Sequence, residues 1–375
     1  MIRDSCTWKI GRTKTFRLGS SKILGVYGGN IQNIEKSMRA VYLSDGWCEK
    51  DKPKILYYQE TGDLSVFTKE ELSRIKIMIQ TDEDGADARI VAYECEANKY
   101  RQLFIHGIKV HVYLGIMLFP DIWAPEMREA GMLNDDSFNI ADYINAPIQA
   151  LKSLPHWKNL VRIIKDSDDW VASKRYYYFA KQTGHSGNYD IQAQTFRMNI
   201  LEKSGGKIMI PMEESRRFLE TYRSVFPEIP ERNQRVQRQG RELGVLYNLF
   251  GHPYYITSYK GCWTENTYKE WYSWSPQSTV GMIINIAVGR WQEFAEKEKL
   301  NWDLLANGHD SMITQVPLGE VLLGAAKSQE YVEKEEFESP VDGAKFFMKS
   351  ETKIGFCWAP YDKVKCPLGL KEIKV

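Results

Sequence analysis

Residues 77–93 read IMIQTDEDGADARIVAY, and residues 304–316 read LLANGHDSMITQV. In the first stretch the apolar residues at 75, 77 and 79 alternate with others up to Gln80, the period of a strand. That strand delivers Asp82 at its end, with Asp84, Asp87 and Arg89 directly after it. In the second stretch two short apolar arms flank a polar tip, Asn307-Gly308-His309-Asp310. Asn-Gly is a hairpin turn signal. An aspartate at a strand end can equally be a helix cap or a turn former, so either segment alone decides little. Together they supply what two-metal phosphoryl transfer requires, two hard carboxylates converging on rigid strands to hold ions roughly 3.5–4 Å apart.

Working outward, residues 1–80 read as mixed and β-leaning, and residues 100–255 as helical. Asp166–Asp169 offers N-cap candidates for a helix over Trp170–Lys181, and Pro211 opens another over Ser215–Val225. Residues 277–298 form a long apolar-periodic helix, and Ala344–Trp358 returns to strand. A helical insertion between two halves of one sheet gives this order. The expected divisions are 1–100, 101–258 and 259–375.

Composition narrows the class without naming a function. Of 375 residues, 43% are apolar and 26% charged, as in a globular protein. No apolar run is long enough to cross a bilayer. With 50 basic against 49 acidic side chains, the balance neither requires nor excludes nucleic acid, since one cleft can concentrate positive charge. The six cysteines, Cys6, Cys48, Cys95, Cys262, Cys357 and Cys366, have no CxxC spacing and are expected to be free thiols.

Between the two acidic segments lies KRYYYFAKQTGHSGNYD, residues 174–190. Lys181, His185 and Tyr189 fall at i, i+4 and i+8 on one helix face. Cation, imidazole and phenol on one stripe suit a triphosphate, a sugar and a base; a half-buried amphipathic helix with a snorkelling lysine has the same pattern. Arg232, Arg235, Arg238 and Arg241 recur every three residues, which fits a phosphate-following face or a solvated helix face.

These segments, in this order, resemble family A DNA polymerases, the bacterial polymerase I-like group, in a phage-type form. Asp82-Glu83-Asp84-Gly85-Ala86-Asp87-Ala88-Arg89 resembles motif A, D-x-S-Q-x-E-x-R. His309-Asp310-Ser311 resembles motif C, His-Asp-Glu, with serine replacing the glutamate and the hairpin turning at His-Asp. Residues 174–190 resemble motif B, R-x3-K-x3-F/Y-x3-Y-G, with Tyr177 at the arginine position, Arg175 two residues earlier, His185 at the aromatic position and Asp190 at the glycine. The stretch 107–111 (GIKVH) resembles the segment whose histidine reaches the phosphates.

The resemblance, covering Thr13 to about Trp358, implies an α+β fold: a right-hand palm with an antiparallel sheet and packed helices, interrupted by mostly helical fingers, the thumb absent. It implies that Asp82 and Asp310 are catalytic and bind two Mg²⁺ ions, with Mn²⁺ able to substitute. Lys181, His111 and Arg175 meet the triphosphate, His185 and Tyr189 the nucleotide and templating pair, and Asp87 the 2′ position of the sugar. By the same resemblance, Arg17 in TKTFRLGSS (13–21) and Asn30 and Gln32 in GNIQNI (29–34) contact the primer–template, with Gln277 in WSPQST (274–279), Lys269 and His309. Donors from such residues suit the minor groove, whose acceptors barely change with sequence.

The implied partners are primer–template DNA and dNTPs, with no membrane. The chain opens near the first motif, and its start lacks a secretory h-region. The expectation is therefore a cytoplasmic enzyme, bacterial-host cytoplasm if phage-encoded, working with a separate thumb and 3′–5′ exonuclease subunit. Two alternatives share these features: a single-subunit RNA polymerase-like enzyme, and a catalytically silent DNA-binding palm subunit.

Overall fold

A computed structural model describes residues 7–9, 15, 19–21, 34, 36–133, 138–169, 174–257 and 262–375. The chain divides into two compact units, one of residues 1–87, 276–337 and 345–375, the other of residues 88–275 and 338–344.

The first unit is built on a five-stranded antiparallel sheet. Across it lie Lys371–Ile373, Ser350–Gly355, Lys76–Glu83, Ser311–Pro317 and Asp303–Asn307. The central strand comes from before the helical segment and the other four from after it, so the sheet closes only when the chain returns. Alternation along Lys76–Glu83 sorts its side chains between two faces. Ile77 and Ile79 pack with Ile284, Ala287 and Trp291 of the helix Glu265–Lys297 and with Val321 and Ala325 of the helix Val321–Val332. Gly324 permits the close approach of the latter helix, since a Cβ there would stand 2.9 Å from Ile79 and 3.0 Å from Val316. Met78 faces the other way with Ala306, Ile313, Trp358 and Leu370. Gln80 and Asp82, two and four residues on, share the face of Met78.

The second unit is mainly helical. Its core gathers Trp123, Leu160, Phe196, Phe218 and Tyr222, among others. The helices Val110–Leu118 and Tyr176–Gly187 pack at Gly184, where a Cβ would meet Leu114 at 3.0 Å. Gly187 lies against Tyr222, whose ring would be 2.5 Å from a Cβ.

The α+β class and the antiparallel sheet agree with the sequence reading; several local expectations do not. Beyond the short pair Thr7–Lys9 and Gly19–Ser21, the helices described in residues 1–74 are the short Lys36–Val41 and the α-helices Lys52–Thr61 and Lys69–Arg74, joined by turns and loops. The last of these carries a full capping box between Thr68 and Glu71. The helix expected over Trp170–Lys181 begins at Tyr176. Asp166 instead ends the preceding helix, Trp157–Asp166. The Ser167 hydroxyl, ten residues upstream, accepts from the Tyr177 N–H at 3.1 Å and donates to the Ile164 carbonyl at 2.6 Å. The long helix starts at Glu265 rather than 277 and runs through Pro276. Its entry is fixed by Thr264 and Thr267, which bond to each other's backbone and hydroxyl groups.

Candidate active site

Backbone pairing positions the two carboxylates of the first unit. Asp82 stands opposite Ser311 on one neighbouring strand and opposite Glu351 on the other. The Glu83 N–H donates to the Asp310 carbonyl at 2.9 Å, tying the turn directly to the residue after Asp82. The turn falls at His309-Asp310, closed by the Gly308 N–H donating to the Ser311 carbonyl at 2.7 Å. It lies two residues beyond the Asn-Gly pair that carried the turn signal. Asn307 and Gly308 instead shape the approach: the Asn307 Oδ1 accepts from the His309 N–H at 3.2 Å, and a Cβ on Gly308 would stand 2.3 Å from the Ser311 Oγ. His309 takes the left-handed conformation at φ 72°. The Asn307 amide is anchored in turn on Asn285 at 3.0 Å.

Asp82 and Asp310 line one pocket of about 140 Å³, with Arg39, Gln80, Asn307, Ser311 and Trp358 among its other walls. Gln80 donates to both oxygens of Asp82, at 2.7 and 3.0 Å, and accepts from the Trp358 indole at 3.1 Å. Arg39 lies over the Trp358 ring at 4.6 Å. Lys353 brings its ammonium to 3.3 Å from the Asp82 carboxylate. Sequence reasoning missed Gln80, Trp358 and Lys353. Gln80 had a signal in the strand period, since a residue two before Asp82 must share its face. Trp358 and Lys353 had none, because only pairing with Ser350–Gly355 brings them near. Among the described residues no group of three or more His, Cys, Asp and Glu side chains could hold a metal ion.

In the second unit, Lys181 and His185 are exposed on the helix Tyr176–Gly187. Tyr189 lies past its end, yet its ring still meets His185 edge-on at 6.2 Å. His111, on the helix Val110–Leu118, packs edge-on against Tyr177 at 6.0 Å. Its Nδ1 is closed off from solvent with no hydrogen-bond partner. Burial pushes its pKa down to about 4, helped by the charges of Lys181, His185 and Lys109. His111 is therefore a neutral imidazole at pH 7. Arg175 is the residue preceding the helix Tyr176–Gly187. Asp87 lies in the first turn of Ala86–Glu94. Lys269 pairs with Glu265 at 2.5 Å, and Gln277 sits half-buried in the same long helix. Arg17, Asn30 and Gln32 lie outside the described residues.

The arginine run does not form one face: Arg238 and Arg241 are exposed, Arg235 is half-buried and Arg232 is buried. Arg232 is fully buried, donating to Glu94 at 3.0 Å, to the Asn233 side chain at 3.0 Å and to the Tyr272 carbonyl at 2.8 Å. Arg235 donates to the Glu94 carbonyl at 2.7 Å, and Arg241 to the Tyr268 hydroxyl. Two of the four thus hold the start of this unit to its later helices.

No family model and no curated protein matches the sequence. Solved structures do match. One is the POL domain of Pol1 from M. smegmatis in complex with DNA primer-template and dNTP, at a TM-score of 0.58 and 15% identity, covering 94% of this chain and 47% of that one. The fold is polymerase-like. The chain spans about half the length of that Pol1 chain. No helix among the described residues is long and apolar enough to cross a membrane.

Proposed function

We propose that this chain is a template-directed DNA polymerase of the family A type, adding dNTPs to a primer 3′ end. The observation that carries the reading is the delivery of Asp82 and Asp310, by neighbouring antiparallel strands, into one pocket. The likeness in fold to a polymerase domain solved with primer-template and dNTP supports it.

The residues present fit divalent cations. Mg²⁺ is commonly held by one or two carboxylates, with waters and substrate phosphates completing its shell. Asp82 and Asp310 would hold two such ions, and Asp82 already attracts the Lys353 ammonium. Such ions would supply activation of the attacking 3′-oxygen and charge stabilisation of the departing pyrophosphate. The protein's own part is orientation. Gln80 grips both oxygens of Asp82, and the His309-Asp310 turn is pinned through the Glu83 amide. Lys181 supplies positive charge to the triphosphate, and Arg175 is a second cation for it. Neutral His111 donates one hydrogen bond and adds no charge. His185 and Tyr189 present rings to the base, Asp87 screens the 2′ position, and Arg17, Asn30, Gln32, Lys269, Gln277 and His309 face the primer–template.

Primer extension with Mg²⁺ on a primed template, comparing dNTPs with rNTPs, tests this reading. Extension with dNTPs that Asp310→Ala abolishes is expected. Preference for rNTPs would favour the RNA polymerase alternative. Absence of extension at low salt and high enzyme, with or without an added thumb and 3′–5′ exonuclease subunit, would favour the silent palm. Extension only with that subunit added would make this a two-chain enzyme.

A further inference from the structure

Cys357 and Cys366, nine positions apart, bring their sulfurs to 3.2 Å. The backbone holds them there. The N–H groups of Phe356 and Cys357 both donate to the Leu368 carbonyl, at 2.8 and 3.0 Å. Cys366 and Asp362 exchange backbone hydrogen bonds of 3.0 and 3.1 Å. The Asp362 carboxylate accepts from the N–H groups of Val364 and Lys365, at 2.9 and 2.7 Å. The two thiols therefore terminate a hydrogen-bonded loop whose closure does not depend on side-chain rotation alone. They differ in access: Cys357 is buried at 2% exposure, whereas Cys366 is partly exposed. Cys357 immediately precedes Trp358, whose indole lines the carboxylate pocket and donates to Gln80.

We propose that Cys357 and Cys366 form a modification site, a dithiol that a small disulfide such as glutathione disulfide converts into an intramolecular disulfide. The accessible Cys366 thiolate attacks one sulfur of the oxidant, whose S–S bond breaks to release one glutathione thiolate. The Cys357 thiolate then attacks the Cys366 sulfur of the mixed disulfide and releases the second. The two cysteine protons end on the two glutathiones, and the two electrons lost by the protein reduce the oxidant. Burial pushes the Cys357 thiol up to about 12, with the neighbouring Cys366 adding to the effect. It is thus a poor first attacker but a suitable second one, because it is already in contact with its target. This site does not depend on the polymerase reading.

The test incubates the full chain with glutathione disulfide, traps remaining thiols by alkylation and maps the peptides by mass. The exposed Cys48 and Cys262 serve as single-thiol references. The expected product is one peptide linked through Cys357 and Cys366, lighter by the two thiol hydrogens, while Cys48 and Cys262 carry glutathione. In Cys357→Ser, Cys366 should stop at a glutathione adduct. A stable glutathione adduct on Cys366 of the unmodified sequence would overturn the proposal. So would full alkylation of both Cys357 and Cys366 after Cys48 and Cys262 have reacted.

Discussion

The carboxylate pocket of the first unit and the cationic face of the second are built in opposite ways. Asp82 and Asp310 owe their positions to the backbone. Strand register sets one opposite Ser311, and a main-chain hydrogen bond from Glu83 holds the other. Lys181 and His185 are exposed side chains on a helix, positioned by its period, while Tyr189 continues their stripe only after the helix has ended. A pocket fixed by register tolerates the loss of a side chain without moving. A helical face depends on what packs beneath it, here His111 against Tyr177 and Gly184.

That contrast can be broken or sharpened by mutation. The largest effect should come from Asp310→Ala or Asp82→Ala, each lowering primer extension by about 10³-fold or more, because a metal site contributes several kcal/mol to the transition state. Asp310 is exposed, so its variant should keep its unfolding free energy within roughly ±0.5 kcal/mol, as for a surface change. A large loss of stability would show that the turn depends on that side chain. Next comes Arg232→Met. It leaves Glu94 buried without its partner and should destabilise the second unit by about 3–5 kcal/mol, read by denaturant unfolding. A near-neutral result would mean that Glu94 finds other donors.

Lys181→Ala should raise the KM for dNTPs by about 10- to 100-fold, the loss of a charge-assisted hydrogen bond, without changing thermal stability. An unchanged KM would return the lysine to the solvated face. The pH dependence of His111 should be of comparable size. Its folded pKa, about 4, lies below the ordinary 6.5, so the folded state prefers the neutral ring. That stability is complete above about pH 6.5 and is lost as pH falls through 4. It should amount to about 1–3 kcal/mol and should be missing from the unfolding curves of His111→Phe. Equal acid sensitivity of the two proteins would place the titrating group elsewhere. The smallest effect is expected for Asp87→Glu, whose extra methylene should raise discrimination against ribonucleotides by about threefold to tenfold. Comparable rejection by both proteins would remove Asp87 from that role.

Much of this was legible because the relevant signals were local. The strand ending at Asp82, the hairpin around Asp310 and the helix Met212–Val225 follow from residues next to each other in the chain. The misreadings share a cause. Asp166–Asp169 looked like the cap of a helix starting at Trp170, but that helix begins only at Tyr176, and Ser167 meets its first turn from ten residues upstream, across a fold of the chain. The arginine run looked like a surface, but Arg232 had a buried acid 138 residues earlier to meet. The described cysteines are free thiols, as expected, but the contact of Cys357 with Cys366 through a loop of backbone hydrogen bonds had no spacing signal.

The sequence by itself determined which carboxylates stand at strand ends and that a helical segment interrupts a sheet, because hydrophobic period and turn chemistry are written in neighbouring residues. Only the tertiary structure decided what surrounds them. Lys353 reaches Asp82, and Trp358 reaches Gln80, through pairing between strands more than 260 residues apart. Long-range register has no local signal, since it is set by which strands bury their apolar faces together.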